Sequence, residues 1–291
     1  MVPIDQELHQ EVSDALPLAA ALGARAVWHL AVAYDGTAYH GWQAQPGVPT
    51  VQSALAEKLG RLFRTDSLEL AATSRTDAGV HALDQQISFP DPGTLCLEPA
   101  RLPKVLNRWL PTDIRIKSAA LREAGFNARR AACGKAYSYS VYTGPLLLPF
   151  AGRYAWHLPG RTFDLGSMRA AAVCLSGERD FASFGVNPKR ELPTTVCTVH
   201  RLEIIPEGEW LFFNVIGSAF LYKMVRSLVG WLVQVGLGRR QAGETPAVLA
   251  ARCRAAAADT APAEGLFLAR VFLEPGAWTG YQPQLPPWRA W

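Results

Sequence analysis

The segment 74–82, which reads SRTDAGVHA, contains residues whose types and spacing could do chemistry. Asp77 is followed by Ala78 and Gly79, and these small residues leave room for another molecule to approach its carboxylate. Arg75 lies close before Asp77, and a nearby cation keeps a carboxylate ionised by lowering its pKa. An ionised, accessible aspartate can act as a nucleophile or as a general base. The alternative is an Asx turn, in which the carboxylate only accepts hydrogen bonds from the neighbouring backbone.

Arg226 is the second residue of interest, because it interrupts the apolar stretch 219–235, which predicts a buried helix capped by Ser218. A buried guanidinium without a partner costs several kcal/mol and cannot readily lose its charge, so a carboxylate should meet it. Asp77 is one candidate partner, and the alternative is an arginine whose charged head reaches solvent at the helix edge. Because Lys223 interrupts it too, the stretch is too short and too charged to span a bilayer.

Tyr137 belongs to the segment 135–142, whose alternation predicts a strand with tyrosines and serines on opposite faces. Its ring could stack on a nucleobase or its hydroxyl could carry a proton, and the alternative is a core tyrosine with a satisfied hydroxyl. Basic residues are interleaved with aromatic ones nearby, which suits an RNA surface, although each cluster alone is typical of a solvated face. The clusters are Phe126-Asn127-Ala128-Arg129-Arg130 with Lys135, Lys189-Arg190, Tyr222-Lys223 and Arg239-Arg240.

Composition narrows the classes of protein to consider. With 291 residues and 49% hydrophobic content, the chain can bury a sizeable core and is not disordered. Its net charge of +4 excludes a polyanion-coating role based on bulk charge, so an RNA partner requires positive charge concentrated on one face. The five cysteines are widely spaced and form no CxxC pair, which predicts a reducing compartment without a zinc site. We expect no metal and no cofactor, because the nucleotide, dinucleotide, zinc-protease and hydrolase motifs are missing from the sequence.

Strands and helices are predicted to alternate around these residues without the regular βα repeat of a parallel sheet. We therefore expect an α+β fold with an extended, largely antiparallel sheet and a cleft between two halves. The acidic N-terminal segment is unlike a signal or transit peptide, so we expect a cytoplasmic protein. Predicted strands are 27–34, 68–73, 85–89, 114–117, 135–142, 197–205, 210–216 and 266–273; predicted helices follow the N-cap Thr50 and cover 165–176, 219–235 and 247–258.

Several segments stand in the order found in the TruA family of tRNA pseudouridine synthases, which the chain resembles from about residue 27 to residue 273. The segment 75–82, RTDAGVHA, is similar to that family's signature almost letter for letter. The other matching segments are YDGT at 34–37, GWQ at 41–43, TVQ at 50–52, FNAR at 126–129, YSY at 137–139, DFASF at 180–184, AFLYKMVR at 219–226 and APAEGL at 261–266.

The resemblance implies the pseudouridine synthase fold, with two ferredoxin/RRM-like halves and a central active-site cleft. It also implies a cofactor-free isomerisation of uridine to pseudouridine in the anticodon stem-loop of tRNA, at tRNA positions 38 to 40. Asp77 would be the catalytic carboxylate, attacking C1′ or assisting glycal formation, and Arg226 would hold it ionised and oriented. Arg75, Tyr137 and Leu266 would bind the target nucleotide. The residues expected to contact RNA elsewhere are Arg129, Arg130, Lys135 and Lys223.

By the same resemblance we expect a homodimer that binds tRNA, and no membrane partner. The expected organisation is an N-terminal extension at 1–26, an α/β subdomain at 27–133 carrying Asp77, a second at 134–276, and a tail at 277–291. One alternative function is an RNA-binding or chaperone module on the same fold without catalysis, which the presence of Asp77, Tyr137 and Arg226 disfavours. Another is a different carboxylate-dependent enzyme of glycosyl bonds, which would need a second catalytic acid in a comparably distinctive segment. A pseudouridine synthase for other RNA positions is the third.

Overall fold

The computed structural model of the chain describes residues 26–66, 68–186 and 194–283. These residues fall into two compact units, the first ending at Ala132 and the second starting at Cys133. The N-terminal extension expected at 1–26 lies outside the described residues except for Ala26, and so does the cluster Lys189-Arg190. The expected tail is described only as far as residue 283.

The first unit is an antiparallel sheet with two helices on one of its faces. Its strands lie in the order β4–β1–β3, and the short β2 pairs with β3. Phe63 of helix α1 packs edge-on against Trp28 of β1 and Phe89 of β3, with ring centroids 5.5 Å apart in both pairs. The elements are β1 (Val27–Tyr34), α1 (Val51–Phe63), β2 (Ala71–Ala72), β3 (His81–Pro90), α2 (Leu102–Trp109), β4 (Ile114–Arg122) and the single turn α3 (Ala128–Ala131).

Helix α1 confirms the predicted cap and apolar stripe. The Thr50 hydroxyl accepts a hydrogen bond from the backbone N–H of Ser53 at 3.2 Å, which satisfies one of the free amides of the first turn. Apolar residues recur at helical spacing and face the sheet. All of them are buried: Val51, Leu55, Leu59, Leu62 and Phe63.

Other parts of the first unit differ from expectation. Helix α2 was not predicted; its single amphipathic turn and a half buries only Leu102, Val105 and Leu106, and Pro103 near its start is compatible with a first helical turn. Strand β2 covers only Ala71–Ala72 of the predicted 68–73. Strands β3 and β4 are longer than predicted, because ladder pairing with β1 extends them through polar residues that carry no apolar signal.

The second unit is a sheet in the order β10–β5–β9–β8–β7, with the short β6 alongside β5. All its described strand pairs are antiparallel except β5–β6. Helices α4 and α5 contact each other, and α5 is buried along nearly its whole length. The elements are β5 (Gly134–Tyr142), β6 (Trp156–His157), α4 (Leu165–Cys174), β7 (Gly177–Asp180), β8 (Val196–Glu207), β9 (Trp210–Gly217), α5 (Met224–Gly236), α6 (Thr245–Ala251) and β10 (Leu266–Phe272).

Two helix boundaries in this unit were predicted wrongly. Helix α5 begins at Met224 rather than at residue 219, and Lys223 rather than Ser218 occupies the N-cap. Lys223 has a left-handed backbone conformation, with φ of 60°, so the chain turns there and residues 218–223 stay irregular. Helix α6 ends at Ala251, where Arg252 also turns left-handed with φ of 47°.

The α+β class with mostly antiparallel strands is confirmed. Within the described residues, no helix combines the length and apolar character needed to cross a membrane. The same residues contain no group of three or more histidine, cysteine or acidic side chains that could hold a metal ion. All five cysteines are reduced; Cys96 in the first unit and Cys253 in the second are exposed, Cys133 and Cys174 are half-buried, and Cys197 is buried.

Candidate active site

Asp77 lies in the loop 74–80, called the Asp77 loop here, which joins β2 to β3. Backbone hydrogen bonds tie this loop to residues 39–42 on the other side of β1. The amide of Trp42 donates to the carbonyl of Thr76 at 3.0 Å, and the amide of Gly79 donates to the carbonyl of Tyr39 at 3.3 Å. A bond from the Val80 amide to the Asp77 carbonyl, 3.1 Å, closes a turn within the loop. The loop is therefore held without belonging to a helix or strand.

Two glycines allow this close approach of backbone to backbone. A Cβ atom on Gly36 would lie 2.0 Å from the carbonyl oxygen of Val80, where no side chain fits. Gly41 has φ of +89°, and a Cβ there would lie 2.6 Å from the Thr76 carbonyl oxygen. The YDGT and GWQ segments thus supply the surface against which the Asp77 loop packs.

Thr76 anchors the centre of the loop. Its hydroxyl makes a buried 2.7 Å hydrogen bond with the phenol of Tyr34 on β1. Because Thr76 points into the core, its neighbours point outward: Arg75 is exposed and Asp77 is half-exposed. At the start of the loop, the Gln85 amide group donates to the Ser74 carbonyl at 2.7 Å and accepts from the Ser74 amide at 3.1 Å. Asp77 is thereby presented at the surface of a rigid loop.

His81, directly after the loop, is buried and faces the YDGT segment. Its Nδ1 lies 3.1 Å from the Gly36 amide and 3.1 Å from Oδ1 of Asp35. Asp35 in turn accepts the amide of Thr37 at 2.9 Å. His81 therefore fixes the second end of the loop as Gln85 fixes the first.

In the second unit, Tyr137 and Leu266 occupy the same face of the sheet. Tyr137 lies on β5 opposite Leu268 of β10, and Leu266 lies opposite Tyr139, so all four side chains belong to one side. The Tyr137 ring is buried and packs edge-on against Phe220, with centroids 5.1 Å apart. As predicted, the serines of β5 lie on the other face.

Arg226 lies in the first turn of α5 and is half-buried. Its Nε donates to the Ala261 carbonyl at 2.7 Å, and the Ala261 amide donates to the Arg226 carbonyl at 3.1 Å. The loop carrying Ala261 approaches α5 closely at Gly230, where a Cβ would lie 2.0 Å from the Asp259 carbonyl oxygen. The APAEGL segment therefore orients the guanidinium through a backbone carbonyl, which the sequence did not indicate.

Tyr139 stands beside this arrangement. Its hydroxyl donates to the Pro262 carbonyl at 2.8 Å. Burial raises the pKa of Tyr139 well above its ordinary value; the charge of Glu264 acts in the same direction, and Arg226 opposes it. Tyr139 is therefore a neutral hydrogen-bond donor that helps fix the loop holding Arg226.

The predicted RNA-contacting cations are distributed over both units. Arg129 and Arg130 are exposed on α3, whose N-cap Asn127 accepts the Arg130 amide at 3.2 Å. In the first unit, Arg75, Arg129 and Arg130 line one cavity of about 370 Å³. In the second unit, Lys135 is half-exposed on β5, and the Lys223 ammonium lies 5.2 Å from the centroid of the exposed Tyr222 ring.

The residues that sequence reasoning did not single out are those that hold the loops. Tyr34, Thr76 and His81 are letters of the YDGT and RTDAGVHA segments, so their motif membership was the available signal. Gln85 and Ala261 act through backbone groups, and their residue types alone give no indication of that role.

Comparisons with known proteins agree with the motifs. The family described as tRNA pseudouridine synthase matches residues 30–129 and 171–272. The chain is similar to "tRNA pseudouridine synthase A" of Syntrophotalea carbinolica, 42% identical over 250 residues covering 86% of this chain and 97% of that protein. It is also similar to proteins of the same name from Geobacillus kaustophilus, 41% identical over 84% of this chain and 93% of the relative, and Bacillus subtilis, 38% identical over 84% and 97%.

Among solved structures, the chain is similar to a chain in an archaeal box H/ACA Nop10–Cbf5 complex, with a TM-score of 0.34 and 13% identity over 78% of this chain and 47% of that one. That likeness is too low to carry an argument about function. The family match covers more than half of the chain, and the curated relatives are matched over nearly their whole length. The chain belongs to the tRNA pseudouridine synthase family.

Proposed function

We propose that the chain converts uridine to pseudouridine in the anticodon stem-loop of tRNA, at positions 38 to 40, with Asp77 as the catalytic carboxylate. The observation that carries this proposal is the presentation of Asp77. A loop fixed by Thr76, His81 and two glycine contacts holds an aspartate at the surface, where a flipped nucleotide can reach it. The tRNA substrate is the one in the names of the relatives.

The reaction is an isomerisation, so nothing is added to the uridine overall. The N1–C1′ bond breaks, the uracil rotates, C5 bonds to C1′, the proton leaves C5 and a proton is taken up at N1. Asp77 either attacks C1′ or assists formation of a glycal, and both routes require an ionised carboxylate. Arg226, oriented by the Ala261 carbonyl, serves in our proposal as the counter-ion that keeps Asp77 ionised in the tRNA complex.

The other predicted site residues bind the target nucleotide in this proposal. Arg75 is exposed two positions from Asp77 and takes the place of the nucleotide that flips out of the stack. Tyr137 offers an aromatic ring to the uracil, and Leu266 on the same sheet face lines the base pocket. A proton carrier at C5 is available in the Tyr137 hydroxyl.

The decisive experiment maps pseudouridine by carbodiimide-stop sequencing on tRNA treated with the wild type, Asp77→Asn and the control Asp66→Asn. Asp66 is an exposed aspartate in the same unit, so the control removes a similar charge. We expect stops at positions 38 to 40 with the wild type and the control, and none with Asp77→Asn, which should still bind tRNA.

Each alternative predicts a different map. Normal turnover by Asp77→Asn would contradict the mechanism. Stops at other positions would retain the enzyme class and replace the site. An inactive wild type that binds tRNA would favour the RNA-binding module without catalysis.

The protein is a homodimer in our proposal, with one tRNA contacted by both subunits. Light scattering on the purified full chain should give twice the 31.7 kDa of one chain. A monomeric mass at the concentration of the activity assay would contradict the dimer while leaving the chemistry untouched.

A further inference from the structure

The first unit carries a groove that begins beside the Asp77 loop. It consists of two adjoining cavities of about 370 and 590 Å³, which share Leu70, Ala71 and Asn127 in their walls. The first is lined by Arg75, Arg129 and Arg130, and the second by Gln52 and Phe126 among others. We call this continuous feature the flanking groove, defined by Arg75, Arg129, Arg130, Asn127, Phe126 and Gln52.

One end of the flanking groove is cationic. Three guanidinium groups line the first cavity, and no carboxylate is among the described residues of its wall. Gln43 and Asn127 add side-chain amides there. Arginine binds phosphate through planar, bidentate hydrogen bonds, so this end suits a phosphodiester group flanked by hydrogen-bonding base edges.

The other end of the groove is mainly apolar. Phe89, Leu70 and the ring of Phe126 line the second cavity, and Glu69 is the acidic residue on its rim. Phe126 is held in place by His29, with ring centroids 5.0 Å apart, and by the Arg122 guanidinium, 5.4 Å from its centroid. An apolar wall with a fixed aromatic ring and amides at its edge suits a nucleobase removed from its stack.

We propose that the flanking groove binds the nucleotide next to the target uridine, with its phosphate at the arginine end and its base at the Phe126 end. This inference rests on the proposed function, because Arg75 lies two residues from Asp77, a chain span of at most about 7 Å. A groove starting so close to the catalytic carboxylate receives the neighbouring link of the same strand. The groove fits unpaired RNA, since a base within a duplex cannot reach a side cavity.

The test measures binding of an anticodon stem-loop oligonucleotide by fluorescence anisotropy in the Asp77→Asn background, so that turnover does not interfere. The groove variant is Arg129→Gln with Arg130→Gln. The control is Arg108→Gln, an exposed arginine on α2 outside the groove. We expect the double variant to lose about tenfold in affinity, with a shallower dependence of log Kd on log salt by about one unit per lost phosphate contact, while the control binds as the parent does.

A modified RNA then locates the contact. A methylphosphonate beside the target should weaken binding to the parent protein by about the same factor, and should have no further effect on the double variant, because both changes remove one interaction. Additive losses would overturn the assignment of this phosphate to the groove. Unchanged affinity and salt slope in the double variant would overturn the groove itself.

The base end has its own arm. An abasic residue next to the target should weaken binding to the parent several-fold and leave Phe126→Ala and the milder Phe126→Leu unaffected. Equal sensitivity of all three proteins to the abasic residue would overturn the base pocket. Failure of the groove is distinguishable from failure of the proposed function, because the former leaves wild-type pseudouridine mapping intact and the latter shows no product whatever the binding result.

Discussion

At the scale of single residues, Thr76 shows how a core contact positions a surface carboxylate. Its hydroxyl bonds the Tyr34 phenol at 2.7 Å, which turns Arg75 and Asp77 outward on either side. A shift of this anchor moves Asp77 directly, since the two residues are adjacent in sequence. Misplacement of a reacting group by even 1 Å can be costly in rate.

We predict that Tyr34→Phe lowers the free energy of unfolding by about 1–3 kcal/mol, because it leaves the buried Thr76 hydroxyl without this partner. It should lower kcat more than it raises KM. Adding Thr76→Val should restore part of the stability, because both partners are then apolar. Denaturant titration and steady-state kinetics on the single and double variants check this, and strictly additive stability losses would contradict it.

A pair of glycines separates backbone strain from backbone contact. Gly41 and Gly47 both have left-handed φ, +89° and +77°, but a Cβ on Gly41 would meet the Asp77 loop and one on Gly47 would meet nothing within 4 Å. We predict that Gly47→Ala costs about 1 kcal/mol and keeps activity, whereas Gly41→Ala costs more and reduces kcat at least tenfold. Thermal unfolding and a single-turnover assay give the comparison; equal effects of the two would show that the contact is unimportant.

The site was partly predictable at this scale. Asp77, Arg75 and Arg226 stood out because charged residues in small-residue or apolar surroundings require an explanation. The roles of Gly36, Gly41 and Ala261 did not, because they depend on which backbone atoms meet after folding, and sequence position does not encode those approaches.

At the scale of elements, helix α5 begins from a strained residue. Lys223 adopts φ of 60° at the N-cap, which costs a residue with a Cβ about 1 kcal/mol relative to glycine. No sequence rule places lysine there, and this is why a helix starting at 219 was predicted. A functional use of its ammonium would account for retaining the strain.

We predict that Lys223→Gly raises the free energy of unfolding by about 0.5–1 kcal/mol and weakens tRNA binding. Arg64→Gly is the matched control, because Arg64 also has left-handed φ, 50°, at the end of α1 and is exposed. It should stabilise the protein similarly and leave tRNA affinity unchanged. Chemical denaturation and anisotropy titrations test both, and equal affinities would argue against an RNA contact at Lys223.

The sheet of the first unit contains a histidine that senses pH. Burial lowers the pKa of His29 below its ordinary value of 6.5, Arg122 lowers it further, and Gln86 and Asp84 act in the opposite direction. The unfolded chain therefore binds a proton that the folded chain excludes, so stability falls as pH drops below about 6.5 toward the lowered pKa. Burial of His200 in the second unit acts in the same sense.

We predict that His29→Gln shrinks the loss of Tm between pH 7.5 and pH 5 relative to the wild type, because one of the groups causing it is gone. His40→Gln, at an exposed position, should leave the loss unchanged. Circular dichroism melts at the two pH values suffice. An unchanged pH dependence in His29→Gln would assign it to other groups.

Element prediction succeeded where burial repeats in the sequence. Strand β1 and helix α1 lie where their apolar periods place them, Val27–Tyr34 and Val51–Phe63. It failed where tertiary context decides, as for the polar end of β4 at Ser118–Arg122, which is a strand because β1 pairs with it. The short amphipathic helix α2 lacked enough turns to stand out from a loop.

At the scale of the whole molecule, net charge understates the attraction for RNA. Residues 1–26 carry four carboxylates and one arginine, a net charge of −3, so the remainder of the chain carries +7. We predict that deleting residues 1–25 tightens tRNA binding about two- to threefold at low salt and that the difference disappears near 0.5 M salt, where charges are screened within a few ångströms. Anisotropy titrations over a salt series check this; weaker binding after deletion would show that the segment contacts tRNA.

The cysteines offer a consequence of a different kind. Each unit has one exposed thiol, Cys96 in the first and Cys253 in the second, while the other three are partly or fully buried. Because thiol alkylation follows exposure, a donor and an acceptor fluorophore can be attached to the unmodified chain, one on each unit. Energy transfer between them then reports, in real time and without engineered mutations, whether the two units change their separation when tRNA binds and when the product leaves.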